Sequence, residues 1–94
     1  MKLRVHYSAQ LRAAVGRPHD ELDLPDGSSL AALLDGLIGQ LDSAARTHLI
    51  APGGGIRPSL LIVVNDAAAP VHAAASTELQ DGDVVLLLPP IAGG

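Results

Sequence analysis

Apolar and polar residues alternate strictly from Lys2 to Tyr7, with Leu3, Val5 and Tyr7 on one side and Lys2, Arg4 and His6 on the other. Period two in β-branched and aromatic residues predicts a half-buried strand. Ser8 to Val15 predicts a short helical turn, closed by Gly16 with Pro18 beyond it. Glu21 to Leu24 alternates again and predicts a second strand, ended by Pro25-Asp26-Gly27. The strongest helical signal follows. Leu30, Leu33, Leu34, Leu37, Ile38 and Leu41 form one apolar stripe on a 3.6-residue period, and Ser28 or Ser29 stands ready as its cap. Gly36 and Gly39 each cost up to about 1 kcal/mol relative to Ala inside such a helix. Gly39, beside Ile38, suggests close packing on a sheet.

Ala44 to Ile50 predicts a second short helix, and Pro52-Gly53-Gly54-Gly55 a flexible loop. Leu60 to Val64 is a continuous apolar run, as expected of a strand buried on both faces. Asn65-Asp66 predicts a turn. Ala67 to Ser76 is alanine-rich but interrupted by Pro70, so it reads as a loop with a short edge strand near Val71-His72. Asp81-Gly82-Asp83 turns the chain into a last strand, Val84 to Leu88. The order is strand, strand, helix, strand, short strand, strand. A single main helix crossing one face of a mixed sheet is an α+β, β-grasp (ubiquitin-like) arrangement. It brings the first and last strands together. The expected organisation is one domain over residues 1–88 and an extended tail over 89–94.

Composition narrows the chemistry. The 94 residues suffice for one modest core. Apolar residues make up 48% of the chain, but Phe and Trp are absent and Tyr7 is the only aromatic, so no base-stacking platform is available. A net charge of −4 argues against binding a phosphate backbone. The absence of cysteine removes disulfides, thiolate catalysis and cysteine-based zinc sites. The N-terminus shows no signal-peptide core, and no apolar run approaches the ~20 residues of a membrane span. The expectation is a cytoplasmic protein that binds neither membrane nor nucleic acid.

Few residues compete for a functional role. Asp81-Gly82-Asp83 lacks the further oxygen ligands of a calcium loop and reads as a turn. Gly53-Gly54-Gly55 lacks the Gly-Lys-Ser/Thr ending of a phosphate loop. His6, His19, His48 and His72 are scattered without metal-ligand spacing, so no metal site is expected. What remains is the ending, Pro89-Pro90-Ile91-Ala92-Gly93-Gly94. Two prolines fix an extended course that cannot pair further in a sheet. Glycine has no Cβ, so Gly93-Gly94 can thread a channel too narrow for any side chain. Six extended residues reach about 20 Å. The candidate working group is therefore the carboxylate of Gly94. At neutral pH it is ionised and a poor electrophile, so a partner must activate it, most simply by acyl adenylation with ATP. The activated acyl group can then take sulfur or an amine. Tyr7, Leu87, Leu88, Pro89, Pro90, Ile91 and Ala92 are the candidate docking residues.

On these residues the chain resembles the MoaD/ThiS sulfur carriers. Val5 to Gly16, with its Ala-Gln-Leu-Arg segment, Val64-Asn65-Asp66, and Leu79 to Gly94 are similar to that family's first strand and helix, third-strand turn and terminus. The Pro-Pro-x-x-Gly-Gly ending is most similar to carriers that serve as the small subunit of molybdopterin synthase. The resemblance implies a cycle in which an E1-like adenylyltransferase (MoeB/ThiF-like) activates Gly94 with ATP and a persulfide donor converts it to a thiocarboxylate. The MoaE-like large subunit of molybdopterin synthase then uses that sulfur to build molybdopterin. The carrier itself binds no cofactor and catalyses nothing alone. Two departures stand out: Leu86-Leu87-Leu88 replaces the family's usual aromatic residues, and extra length lies around Ala51–Ser59 and Ala67–Ser76. Carriers for thiamin or cysteine biosynthesis, a ubiquitin-like protein modifier, and a binding module with an idle tail are the alternatives.

Overall fold

The computed structural model describes residues 1–89. Strand β1 (Lys2–Tyr7) leads through helix α1 (Ala9–Val15) to β2 (His19–Asp23). Helix α2 (Leu30–Gln40) and a single turn, α3 (Ser43–Arg46), precede β3 (Leu61–Val64) and β4 (Ala67–Ala68). A 3-10 turn (Val71–Ser76) then leads to β5 (Val84–Leu88). The strands form one sheet in the order β2-β1-β5-β3-β4. β1 runs parallel to β5, with Val5 opposite Val85 and Tyr7 opposite Leu87; the other pairs are antiparallel. This is the β-grasp arrangement, with the first and last strands side by side at its centre.

The helical stripe builds the core. Leu30, Leu33, Leu34 and Leu37 are buried against Leu3, Val5, Leu22, Ile62, Val85 and Leu87 of the sheet. Each fully buried aliphatic side chain contributes about 1.5–3 kcal/mol of transfer free energy. Ser29 caps α2, its hydroxyl accepting from the amide of Ala32 at 3.2 Å, while Ser28 donates to the carbonyl of Pro25 at 2.7 Å. Gly39 does not serve close packing, because a Cβ there would meet nothing within 4 Å.

Two further expectations are corrected. The helix expected over 44–50 is shorter. Asp42 caps α3 by accepting from Ala45, and the carbonyls of Thr47 and Leu49 are then taken by the side chain and amide of Arg57. The glycine loop beyond it closes on itself, with Ala51 donating to Gly55 and Gly54 donating to Ala51. The short edge strand lies at Ala67–Ala68, and Val71–Ser76 is a 3-10 turn. The cause is the two-residue turn Asn65-Asp66. Both residues have positive φ, 48° and 70°, and Val64 pairs directly with Ala67 across them. Such a tight turn returns the chain to the sheet at once. The Asp81-Gly82-Asp83 turn is as expected and acts as a knot. Asp81 accepts from the amide of Lys2, Gly82 donates to the carbonyl of Lys2, and Asp83 accepts from the Asn65 side chain.

One polar cluster fastens the β1–β2 hairpin. The Tyr7 hydroxyl donates to Asp20 at 2.7 Å, and the Arg17 guanidinium donates to the other oxygen of the same carboxylate at 2.6 Å. Arg17 holds the Asp20 carboxyl below the ordinary carboxylate range, with Tyr7 adding to the effect. Burial, then the bond to Asp20, pushes the Tyr7 phenol well above its usual value.

Two outcomes follow. Leu37→Ala, at a position with no exposure, should cost about 2–5 kcal/mol in urea unfolding. The Asp20 value is lower folded than unfolded. Its stabilisation is therefore present above the ordinary carboxylate value of about 3.9 and is lost as pH falls through the lower folded value. Asp20→Asn should give a shallower loss of stability below about pH 4 than the parent chain in urea titrations at stepped pH.

Candidate functional site

Alternation along three neighbouring strands sorts side chains onto two faces. Leu3, Val5, Tyr7, Val85, Leu87 and Ile62 point into the core. The opposite face carries Lys2, Arg4 and His6 from β1, Val84, Leu86 and Leu88 from β5, and Leu61 and Val63 from β3. Register places His6, Leu86 and Val63 on one rung and Leu88 beside Leu61 on another. A sheet with one face in solvent ordinarily turns polar residues outward there. β1 obeys this rule; β3 and β5 do not. Leu61 is 50% exposed and Val84 39% exposed, and Val63, Leu86 and Leu88 are half-buried. A cluster of aliphatic residues on an open sheet face is a candidate site for another molecule.

The surface has polar limits. Arg4, paired with Glu21 at 2.9 Å, borders one side. Asn65 and Asp66 line a hollow with His6, Val63, Val84 and Leu86 at one end. At the other end the last strand runs out through Leu88 into half-buried Pro89. Ser8 fixes that exit: its amide and its hydroxyl both donate to the carbonyl of Leu87, at 3.3 and 3.0 Å.

The expected docking residues divide on this geometry. Tyr7 is 4% exposed and Leu87 not at all, so both belong to the core and neither offers surface to a partner. They alternate inward because β1 and β5 are paired in parallel with Val5 and Val85 also inward. Leu88 and Pro89 lie at the edge of the open face. Pro90, Ile91, Ala92, Gly93 and Gly94 lie outside the described residues. Leu61, Val63 and Val84 were not among the expected docking positions. β3 was expected to be buried on both faces, yet it is covered on one only. A signal existed: a single eleven-residue helix can cover one face of a sheet, so apolar residues on a central strand's second face must meet something else. Among the described residues no helix is long and apolar enough to cross a membrane.

The chain's relatives share this architecture. A model of the ThiS family matches residues 5–94. Ubiquitin-related modifier 1 of Ajellomyces capsulatus (strain NAm1 / WU24) is 30% identical over 70 residues, which cover 74% of this chain and 58% of that protein. The chain thus spans less than two thirds of the length of that relative. The solution structure of small archaeal modifier protein 1 (SAMP1) from Methanosarcina acetivorans superposes with a TM-score of 0.79 at 25% identity, covering 99% of this chain and 96% of that one. The complex of subunits 1 and 2 of molybdopterin-converting factor from Helicobacter pylori 26695 contains a chain that matches at 21% identity with a TM-score of 0.61, each chain fully covered. At that identity the likeness speaks for the fold. The family match takes in nearly the whole chain, from the middle of the first strand to the final diglycine, and the protein belongs to the ThiS family, with its ubiquitin-like sulfur-carrier fold.

Proposed function

We propose that this protein carries sulfur as a thiocarboxylate on Gly94 and delivers it to a molybdopterin synthase large subunit. The observation that carries the reading is the uncovered aliphatic face that ends at Leu88, directly before the Pro-Pro-x-x-Gly-Gly ending. A family match that runs through Gly94 supports it, as does a neighbour whose chain is one of two subunits of molybdopterin-converting factor.

The chemistry needs partners at each step. An E1-like adenylyltransferase joins the Gly94 carboxylate to the α-phosphate of ATP and releases pyrophosphate. The terminal sulfur of a protein persulfide then attacks the acyl carbon and displaces AMP. A thiol reduces the resulting acyl disulfide and leaves the thiocarboxylate. This chain supplies the acyl group, a side-chain-free approach to it, and a docking face. Leu61, Leu86 and Leu88 would pack on a partner's apolar surface, and Ser8 would hold the strand end from which the tail departs.

A second reading has its own support, since relatives in sequence and in structure are named as protein modifiers. The same activated carboxylate would then be joined to lysine amines.

Intact mass spectrometry after incubation with the adenylyltransferase, ATP and a persulfide donor separates the readings. One oxygen-to-sulfur exchange, absent after deletion of Gly93-Gly94, is the expected outcome. Higher-mass protein adducts in extracts without that exchange would favour the modifier reading. Leu86→Lys should leave the unfolding free energy within about 0.5 kcal/mol of the parent, as surface substitutions do. It should weaken binding to the large subunit tenfold or more in calorimetric titration, because it sets a charge in the middle of the aliphatic face.

A further inference from the structure

The β1–β2 ladder brings together two histidines that lie far apart in sequence. Tyr7 donates its amide to Pro18, and Leu24 donates its amide to Met1. In an antiparallel pair, hydrogen-bonded and non-hydrogen-bonded rungs alternate. The rungs of core-facing residues are therefore the hydrogen-bonded ones. Lys2–Asp23, Arg4–Glu21 and His6–His19 are the non-hydrogen-bonded rungs, on which side chains approach more closely. The first two rungs pair opposite charges. The third pairs two imidazoles, with ring centroids 5.3 Å apart and planes inclined by 36°.

That separation has a chemical meaning. A zinc ion bonded to two imidazole nitrogens at about 2.0–2.1 Å, with a tetrahedral angle between the bonds, holds the ring centroids roughly 5 Å apart. Imidazole suits zinc, copper and nickel among divalent ions. Both rings stand on the open face, where His19 is exposed and His6 half-buried, so the pair is accessible. Their surroundings do not oppose a cation. Arg4, the nearest cation on the neighbouring rung, is engaged by Glu21, Arg17 is engaged by Asp20, and Asp66 lines the hollow beside His6. Among the described residues no group of three ligating side chains converges anywhere, so the remaining positions on the ion would be filled by water or by an outside ligand.

We propose that His6 and His19 form a two-histidine chelate for a divalent transition ion, zinc or copper, at the polar edge of the docking face. This inference does not rest on the sulfur-carrier reading. The test is calorimetric titration of the untagged full chain with zinc chloride in a non-chelating buffer, together with amide NMR spectra recorded with substoichiometric copper(II). One equivalent of zinc should bind. His6→Gln and His19→Gln should each weaken binding tenfold or more, and His72→Ala should leave it unchanged. Acidification should release the ion, because protons compete for the same nitrogens. Copper broadening should centre on residues 4–8 and 17–21. Both substituted residues lie on the solvent side of the hairpin, and retained amide spectra will show that the variants are folded. Absence of saturable binding, binding that survives in the double variant, broadening centred on His48 or His72, or half an equivalent of zinc with dimer formation would each overturn the proposal.

Discussion

The parallel pairing of β1 with β5 is the contact on which the rest of the structure depends. It joins the two ends of the described chain and sits at the centre of the sheet. Because side chains alternate along a strand, a slip of one residue would exchange the two faces of β5. Val85 and Leu87 would then leave the core, and Val84, Leu86 and Leu88 would enter it. The register is held at both ends by groups outside the ladder. The Asp81-Gly82-Asp83 turn bonds to Lys2 and Arg4 at the start. Ser8 bonds to Leu87 at the finish.

With the register set, the open aliphatic face results from a shortage of covering layers. One main helix lies on the sheet, and its stripe of leucines saturates one side. Among the described residues no element covers the aliphatic residues on the other side of β3 and β5. A surface that contributes nothing to the core, yet consists of Leu and Val, is costly to leave in water and is retained where a partner covers it. The tail root at Pro89 lies at one margin of this surface and the histidine rung at another. The proposed docking, delivery and metal chelation would therefore share one side of the molecule, while the helical side serves stability.

Much of the fold was legible in the residue pattern. The alternation of Lys2–Tyr7, the stripe from Leu30 to Leu41 and the turn at Asn65-Asp66 are local patterns, and local backbone geometry suffices to read them. The structure departs from that pattern where a segment's fate depends on a distant one. The edge strand falls at Ala67–Ala68 and not at Val71-His72, because the turn's positive φ angles return the chain to the sheet immediately. Tyr7 and Leu87 are core rather than docking residues, because apolar character, or nearness to the tail in the case of Leu87, says nothing about which way a side chain points.

By itself, the sequence determined most of the element types and the arrangement of one main helix across one face of a mixed sheet. Periodicity and turn chemistry are properties of neighbouring residues. Only the tertiary structure decided which apolar residues are core and which are surface, since a run such as Leu60–Val64 reads the same whether one face of its strand is covered or both. It also decided that Asp20 joins Tyr7 to Arg17 and that His6 stands beside His19, because cross-strand register is a long-range choice set by the whole sheet. The ending is legible as a sequence of small residues; the surface that would bring it to a partner exists only when β1, β3 and β5 lie side by side.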